Sequence, residues 1–224
     1  MSKHHSPEFA VLAFAVLTAI TGCSSGPEAP RATVGDTPTA TPAPLPTKQP
    51  AGDVAAEAAP VRLAFGPQTQ STVAFVGAKI TQAHDGNFER FAGTVELVGE
   101  HVEQSRVNVD IEMDSLVIEP ARLAGHLRTA DFFDVAQYPH TTFRSTAIVA
   151  ASTGGYTVTG LLAMHGVSKQ ISFPATIAVS PTGVTAHAEF VINRKDFNIV
   201  YPGMPDDLIK DDVTIKLDIR APRS

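Results

Sequence analysis

The chain has 224 residues, with 17 Lys+Arg against 23 Asp+Glu, a net charge of −6, a single Cys and no Trp. The acidic balance excludes an electrostatic grip on nucleic-acid phosphates. One Cys excludes an internal disulfide framework and a Cys-built zinc cluster, and no apolar run reaches the roughly 18 residues of a spanning helix.

Residues 1–22 read as a secretory signal. Lys3, His4 and His5 form a weakly basic start, and residues 9–20 form an apolar stretch of 12 residues, too short to span a bilayer. The stretch ends in Ile20-Thr21-Gly22-Cys23, which resembles the bacterial lipobox. That resemblance implies acylation of Cys23 and attachment to a membrane through it. Ser24 in the next position lacks the Asp that often retains lipoproteins on the inner membrane, so the expected location is the outer membrane, facing the periplasm.

Residues 23–60 read as the lipidated Cys followed by a disordered tether rich in Pro, Ala and Thr. Eight of residues 24–60 are Pro, and almost none is a large apolar residue, so the segment cannot bury a core of its own. Pro-rich chain extends at about 3.1 Å per residue, on the order of 100 Å here, which suggests a spacer that lifts the domain off the membrane.

From residue 61 to 224 the sequence changes to period two. Val107, Val109, Ile111 and Met113 alternate with Arg106, Asn108, Asp110, Glu112 and Asp114. That is a strand with one dry face and one wet face. The same alternation runs through Ile171 to Val179, Val184 to Ile192 and Val213 to Ile219, and more weakly through Val73 to Gly77, Phe91 to Leu97, and the stretches near Phe143 and Val158. His84-Asp85-Gly86-Asn87, Ser152 to Gly155 and Ser180 to Gly183 read as turns. Pro120 opens a break in the pattern, and Leu123 and Leu127 lie one helical turn apart, which predicts one short helix within residues 120–133. The expectation is an all-β domain of about eight antiparallel strands with one inserted helix. The strands form either a closed barrel or two packed sheets. Gly77, Gly93, Ala163, Ala186 and Ala188 fall at inferred inward positions. They fit either an open lumen or small residues in a filled sandwich core.

Four motifs then carry a resemblance. Gly86-Asn87-Phe88-x-x-Phe91-x-Gly93, the run His126 to Val135 with Tyr138-Pro139, His165-Gly166-Val167-Ser168-Lys169, and Arg194-Lys195-Asp196-Phe197 occur in that order. Together they resemble the YceI-like family of polyisoprenoid-binding periplasmic proteins over essentially the whole domain. The resemblance implies a lipocalin-like antiparallel eight-stranded β-barrel with a helix nearby. It also implies a long apolar pore for a polyisoprenoid or isoprenoid quinone, for storage or transport in the cell envelope. No general enzymatic activity comes with it. Gln70-Ser71, Lys79 and Asn198 depart from the family's pattern at strand ends and loops, so the implied barrel is kept and the implied head-group preference does not carry over.

The candidate lumen residues are Phe75, Phe88, Phe91, Phe143, Phe173, Phe190 and Phe197, with Leu162 and Met164. Leu123, Leu127, Phe132 and Phe133 join them from the helical segment. An apolar chain buried among such residues gains about 25 cal/mol per Å². Singly, each Phe fits core packing as well as a ligand wall. His126 and Arg128 are the candidate head-group contacts, and Arg128 paired with Asp131 is the structural alternative. Asp206, Asp207, Asp211 and Asp212 lack the spacing of a calcium loop and read as a solvated loop before the last strand. No close metal-ligand spacing of His residues, nucleophile elbow or phosphate loop is present, so no metal and no cofactor other than the bound lipid is expected. The rivals to a lipid-binding module are an envelope interaction module with a filled barrel, and, more remotely, a lipid enzyme.

Overall fold

The structure is a computed structural model that describes residues 29–36 and 59–223. The signal segment, Cys23 and most of the expected tether lie outside the described residues. In chain order the elements are β1 (Thr33–Asp36), β2 (Val61–Phe65), β3 (Thr72–Ala78), β4 (Ala83–Phe88), β5 (Phe91–Val98), β6 (His101–Glu112), β7 (Leu116–Ile118) and α1 (Ala121–Leu127). They continue with β8 (His140–Ala150), β9 (Tyr156–Met164), β10 (Val167–Ser180), β11 (Gly183–Asn193), β12 (Gly203–Met204), β13 (Asp207–Leu208) and β14 (Asp212–Pro222).

Period-two alternation builds one strongly curled antiparallel sheet. Its order is β2-β5-β6-β8-β9-β10-β11-β14-β3-β4-β7, with β1 added against β10 to make twelve strands. Curling brings β2 round against β14. At that meeting Leu63, Phe65, Val73 and Ala221 are buried in one cluster, and the Arg220 amide donates to Ser71 Oγ at 2.9 Å. The inner faces of β6, β9, β10, β11 and β14 therefore look into a common interior. Helix α1 packs on β7 at one end. The hairpin of β12 and β13 lies at the same end, where the Ile80 amide donates to the Leu208 carbonyl at 3.1 Å.

Four findings differ from the sequence expectation. The sheet has twelve strands rather than eight, because β1, β2, β4 and β7 are short additions without a long alternating pattern. His84 to Asn87 lies inside β4, and the turn sits earlier, where the Lys79 amide donates to the Gln82 carbonyl at 2.7 Å. Gly86 is there for packing: a Cβ on it would lie 2.5 Å from Phe75 Cζ. Ala163 does not line the interior, which takes Leu162 and Met164 from β9, so Ala163 sits on the outer face.

The fourth difference concerns the tether. Residues 29–36 are part of the wall. β10 pairs with β11 only from Thr176 to Ser180. Above Pro174, which has no N–H to give, the two strands part. β1 lies in the seam, with Thr33 opposite Ser172 and Asp36 opposite Lys169. On its other side the Ala32 amide donates to the Val191 carbonyl at 2.8 Å, and the Val191 amide donates to the Pro30 carbonyl at 2.9 Å. Ala32 is buried, and Arg31 pairs with Asp212. We call residues 29–36 the strap.

Candidate ligand cavity

The interior holds a cavity of about 820 Å³. Its wall follows from the alternation: Val107, Val109, Ile111 and Met113 from β6 and the residue after it, Ile171, Phe173, Ala175 and Ile177 from β10, Ala186, Ala188, Phe190 and Ile192 from β11, and Val213, Ile215, Leu217 and Ile219 from β14. Phe173 and Phe190 stack across the seam that the strap seals, with ring centres 4.1 Å apart and planes 11° apart. Phe143 tilts against Phe173 at 5.6 Å.

Small residues divide into two kinds. A Cβ added at Gly77 would meet nothing within 4 Å, so Gly77 leaves real space in the lumen. A Cβ at Gly93 would lie 2.0 Å from Phe65 Cζ, and one at Gly160 would lie 2.4 Å from Phe143 Cζ. Those two glycines are filled by a neighbouring ring, as aromatic residues across from strand glycines commonly do.

Twelve of the expected residues line the cavity: Phe75, Phe88, Leu123, Leu127, Phe132, Phe133, Phe143, Leu162, Met164, Phe173, Phe190 and His126. Phe75, Phe88 and Phe133 form one aromatic cluster, with ring centres 5.7 to 6.5 Å apart. Three do not line it. Phe91 is buried in the cluster between β2 and β5, and Phe197 is fully buried in a 3-10 turn behind the lumen wall. Arg128 donates to the carbonyls of Asp114 and Leu116, at 3.0 and 2.6 Å, and pairs with the Asp114 carboxylate. It pins α1 to β7 and is not placed for a head group, nor does it pair with Asp131. Asp131 instead lies 2.9 Å from His126 Nε2. His126 also contacts the rings of Phe132 and Tyr201, at 5.0 and 5.3 Å.

The polar lining is concentrated at the α1 end. Lys79, Gln82, His84, Arg122, Asp207 and Lys210 stand there, and His84 Nδ1 lies 2.9 Å from the Glu119 carbonyl. Asp207 is held by Lys79 and by Thr81. The Lys79 ammonium keeps its carboxyl below the ordinary carboxylate range. Arg194 also reaches the wall, but its guanidinium is taken up by the carbonyls of Ile199 and Lys210 and by Asp211. Among the described residues one buried side-chain oxygen is without a partner: Oγ1 of the lining residue Thr141, on β8. Sequence reasoning missed Phe65, Tyr201, Thr141 and the rim cations. Phe65 ends the short alternating run Val61 to Phe65, the one signal available for it.

A strongly curled antiparallel sheet around an apolar cavity defines a lipocalin-like barrel. A model of the YceI-like domain matches residues 67–221, and the chain belongs to that family. A UPF0312 protein of Pseudomonas putida (strain GB-1) is 33% identical over 137 residues, which cover 58% of this chain and 71% of the relative. A UPF0312 protein of Pseudomonas syringae pv. tomato is 32% identical over 153 residues, covering 64% and 80%. Among solved structures, BcnA of Burkholderia cenocepacia superposes with a TM-score of 0.60 at 27% identity, covering 68% of this chain and 96% of BcnA. A domain of Saccharophagus degradans, described as polyisoprenoid-binding and implicated in plant cell wall breakdown, superposes at 0.57 with 16% identity, covering 72% and 99%. At that identity the last match speaks for the fold.

Proposed function

We propose that the protein binds a long apolar isoprenoid-type lipid, a polyisoprenoid or an isoprenoid quinone, in the barrel lumen, and stores or carries it in the cell envelope. The observation that carries this reading is the cavity of about 820 Å³ walled by the inward faces of β6, β10, β11 and β14. That volume falls in the range of about 300–1,000 Å³ found for ligand sites. The wall supplies apolar area at about 25 cal/mol per Å² buried, so a few isoprene units give useful affinity. The description of the S. degradans domain supports the same class of ligand. The lipobox-like end of the signal segment supports export and anchoring through acylated Cys23, at the outer membrane facing the periplasm.

Native mass spectrometry of the full chain purified from bacteria tests the reading. A bound mass matching a polyprenyl chain or an isoprenoid quinone is the expected result. A bare protein mass, unchanged after such lipids are added, refutes it and leaves the outer surface as the functional part.

A further inference from the structure

The described residues include six buried polar or charged side chains: Ser71, Ser105, Ser115, Thr141, Ser145 and Arg194. Five of them are bonded within the protein. Ser71 accepts from the Arg220 amide, Ser105 donates to the His101 carbonyl, and Ser115 donates to the Glu112 carbonyl. Ser145, on the same strand as Thr141, accepts from the Val107 amide at 2.8 Å. Arg194 has three partners. Thr141 Oγ1 has none, although the residue is only 5% exposed and lines the cavity.

A buried hydroxyl left unbonded costs about 1–3 kcal/mol, and buried polar groups are rarely left so without a reason. The surroundings offer no relief. Directly opposite Thr141 on β6 is Ile111, and two residues along β8 on the same face is Phe143, both in the cavity wall. Both of these neighbours are apolar, and a charged head held between them would be expensive to bury. Thr141 Oγ1 has less than 1 Å² of exposed surface, so it meets a ligand by turning about the Cα–Cβ bond; it can then donate to a carbonyl or alcohol oxygen or accept from an alcohol.

We propose that Thr141 is the polar anchor of the cavity, bonding an uncharged hydroxyl or carbonyl oxygen carried by the bound lipid. The inference rests on the lipid-binding reading and deepens it. The cavity then selects an apolar chain that bears such an oxygen over the bare hydrocarbon. It fixes the depth of the ligand as well, since the oxygen must reach β8 within the wall. Burying a lipid hydroxyl without a partner carries a penalty, and Thr141 removes it.

The test compares geranylgeraniol with the hydrocarbon of the same C20 skeleton lacking the oxygen. Both are bound to the full chain, as wild type, Thr141→Val and Thr141→Ser. The readout is the ratio of the two affinities. In Thr141→Val the alcohol-to-hydrocarbon ratio is expected to fall by about tenfold, the worth of one such bond. Hydrocarbon affinity should be unchanged, and Thr141→Ser should keep the wild-type ratio. The lipid-free Val variant should melt no lower than wild type, because it deletes an unbonded group. A ratio within twofold of wild type in Thr141→Val overturns the proposal while leaving the lipid-binding reading intact. A lipid-free Val variant that melts well below wild type also overturns it, since the hydroxyl would then be bonded in the empty protein. Failure of wild type to bind either compound refutes the lipid-binding reading itself.

Discussion

Gly93→Ala tests whether the barrel end is packed as a ring against a glycine. Gly93 on β5 faces Phe65 on β2 in register. The added methyl would lie 2.0, 2.3 and 2.6 Å from three atoms of the Phe65 ring. Carbon atoms in contact sit about 3.5–4.0 Å apart, so the ring must retreat by about 1.5 Å. Phe65 is 1% exposed and also lines the lumen, so the lumen is the one open side it can retreat into. Overpacking of this kind costs about 1–3 kcal/mol. Removing a strand glycine returns about 0.5–1 kcal/mol of backbone entropy. The net is a loss of about 1–2 kcal/mol, which in a domain of this size lowers the melting temperature by about 3–6 °C. Phe65→Ala alone should cost about 3–5 kcal/mol. In the double variant the new methyl occupies space the ring has left. Its loss should therefore be smaller than the sum of the two single losses by about 1–2 kcal/mol, beyond the error of additivity. Urea unfolding of the four proteins measures the cycle. A Gly93→Ala variant as stable as the parent, or losses that simply add, would refute the packing argument.

Gly77→Leu should behave oppositely: its side chain enters open lumen, so the variant should melt close to the parent yet retain less lipid on extraction, because the leucine takes up wall area the ligand would bury. The Val191 amide should exchange slowly with deuterium in the full chain and quickly in a chain lacking residues 1–36, since its acceptor is the Pro30 carbonyl. Asp207 and Asp212 are held below the ordinary carboxylate range by hydrogen bonds from Lys79 and Arg31. Their pKa values are lower folded than unfolded. The stability they contribute is complete above the unfolded value of about 4 and is lost as pH falls through the folded values. Thermal melts taken from pH 5 downward should therefore decline less steeply in Lys79→Met and Arg31→Met than in the parent; equal slopes would remove these two pairs as the cause.

The inward face of each long strand was legible because the pattern that marks a strand also marks its side. Val107 to Met113, Ile171 to Ile177 and Val213 to Ile219 point to the lumen as their alternation requires. Alternation does not say which interior a face meets. Phe91 therefore reads as lumen but is buried against β2. Phe197 lies in a 3-10 turn, where period two has no meaning. Arg128 has Asp131 close by in sequence, yet it bonds backbone carbonyls across α1 and β7. A carbonyl acceptor leaves no trace in residue type. The rim cations and Thr141 sit on strands and turns whose pattern is set by their neighbours, so nothing in it marks them.

The strap is the least legible element, and it changes how the domain is held. Its pairing is made by backbone groups of Pro30, Ala32 and β1, so the Pro-rich composition around it hides a strand. If residues 24–60 were one free spacer, the barrel would ride on the order of 100 Å from an anchor at Cys23. Because Ala29 is already at the wall, only residues 24–28 lie between it and Cys23. Six extended steps reach about 20 Å. On the proposal that Cys23 is acylated, the barrel is held against the membrane surface on a short leash, and residues 37–58 follow the strap in sequence and do not lie between the anchor and the wall. Removing residues 42–47 should then leave the height of the domain unchanged, whereas inserting six residues between Ser25 and Gly26 should raise it. Energy transfer from a fluorophore on the barrel to an acceptor dye in the bilayer measures both. A domain that drops when residues 42–47 are removed would show that the strap comes away from the seam when the protein is anchored.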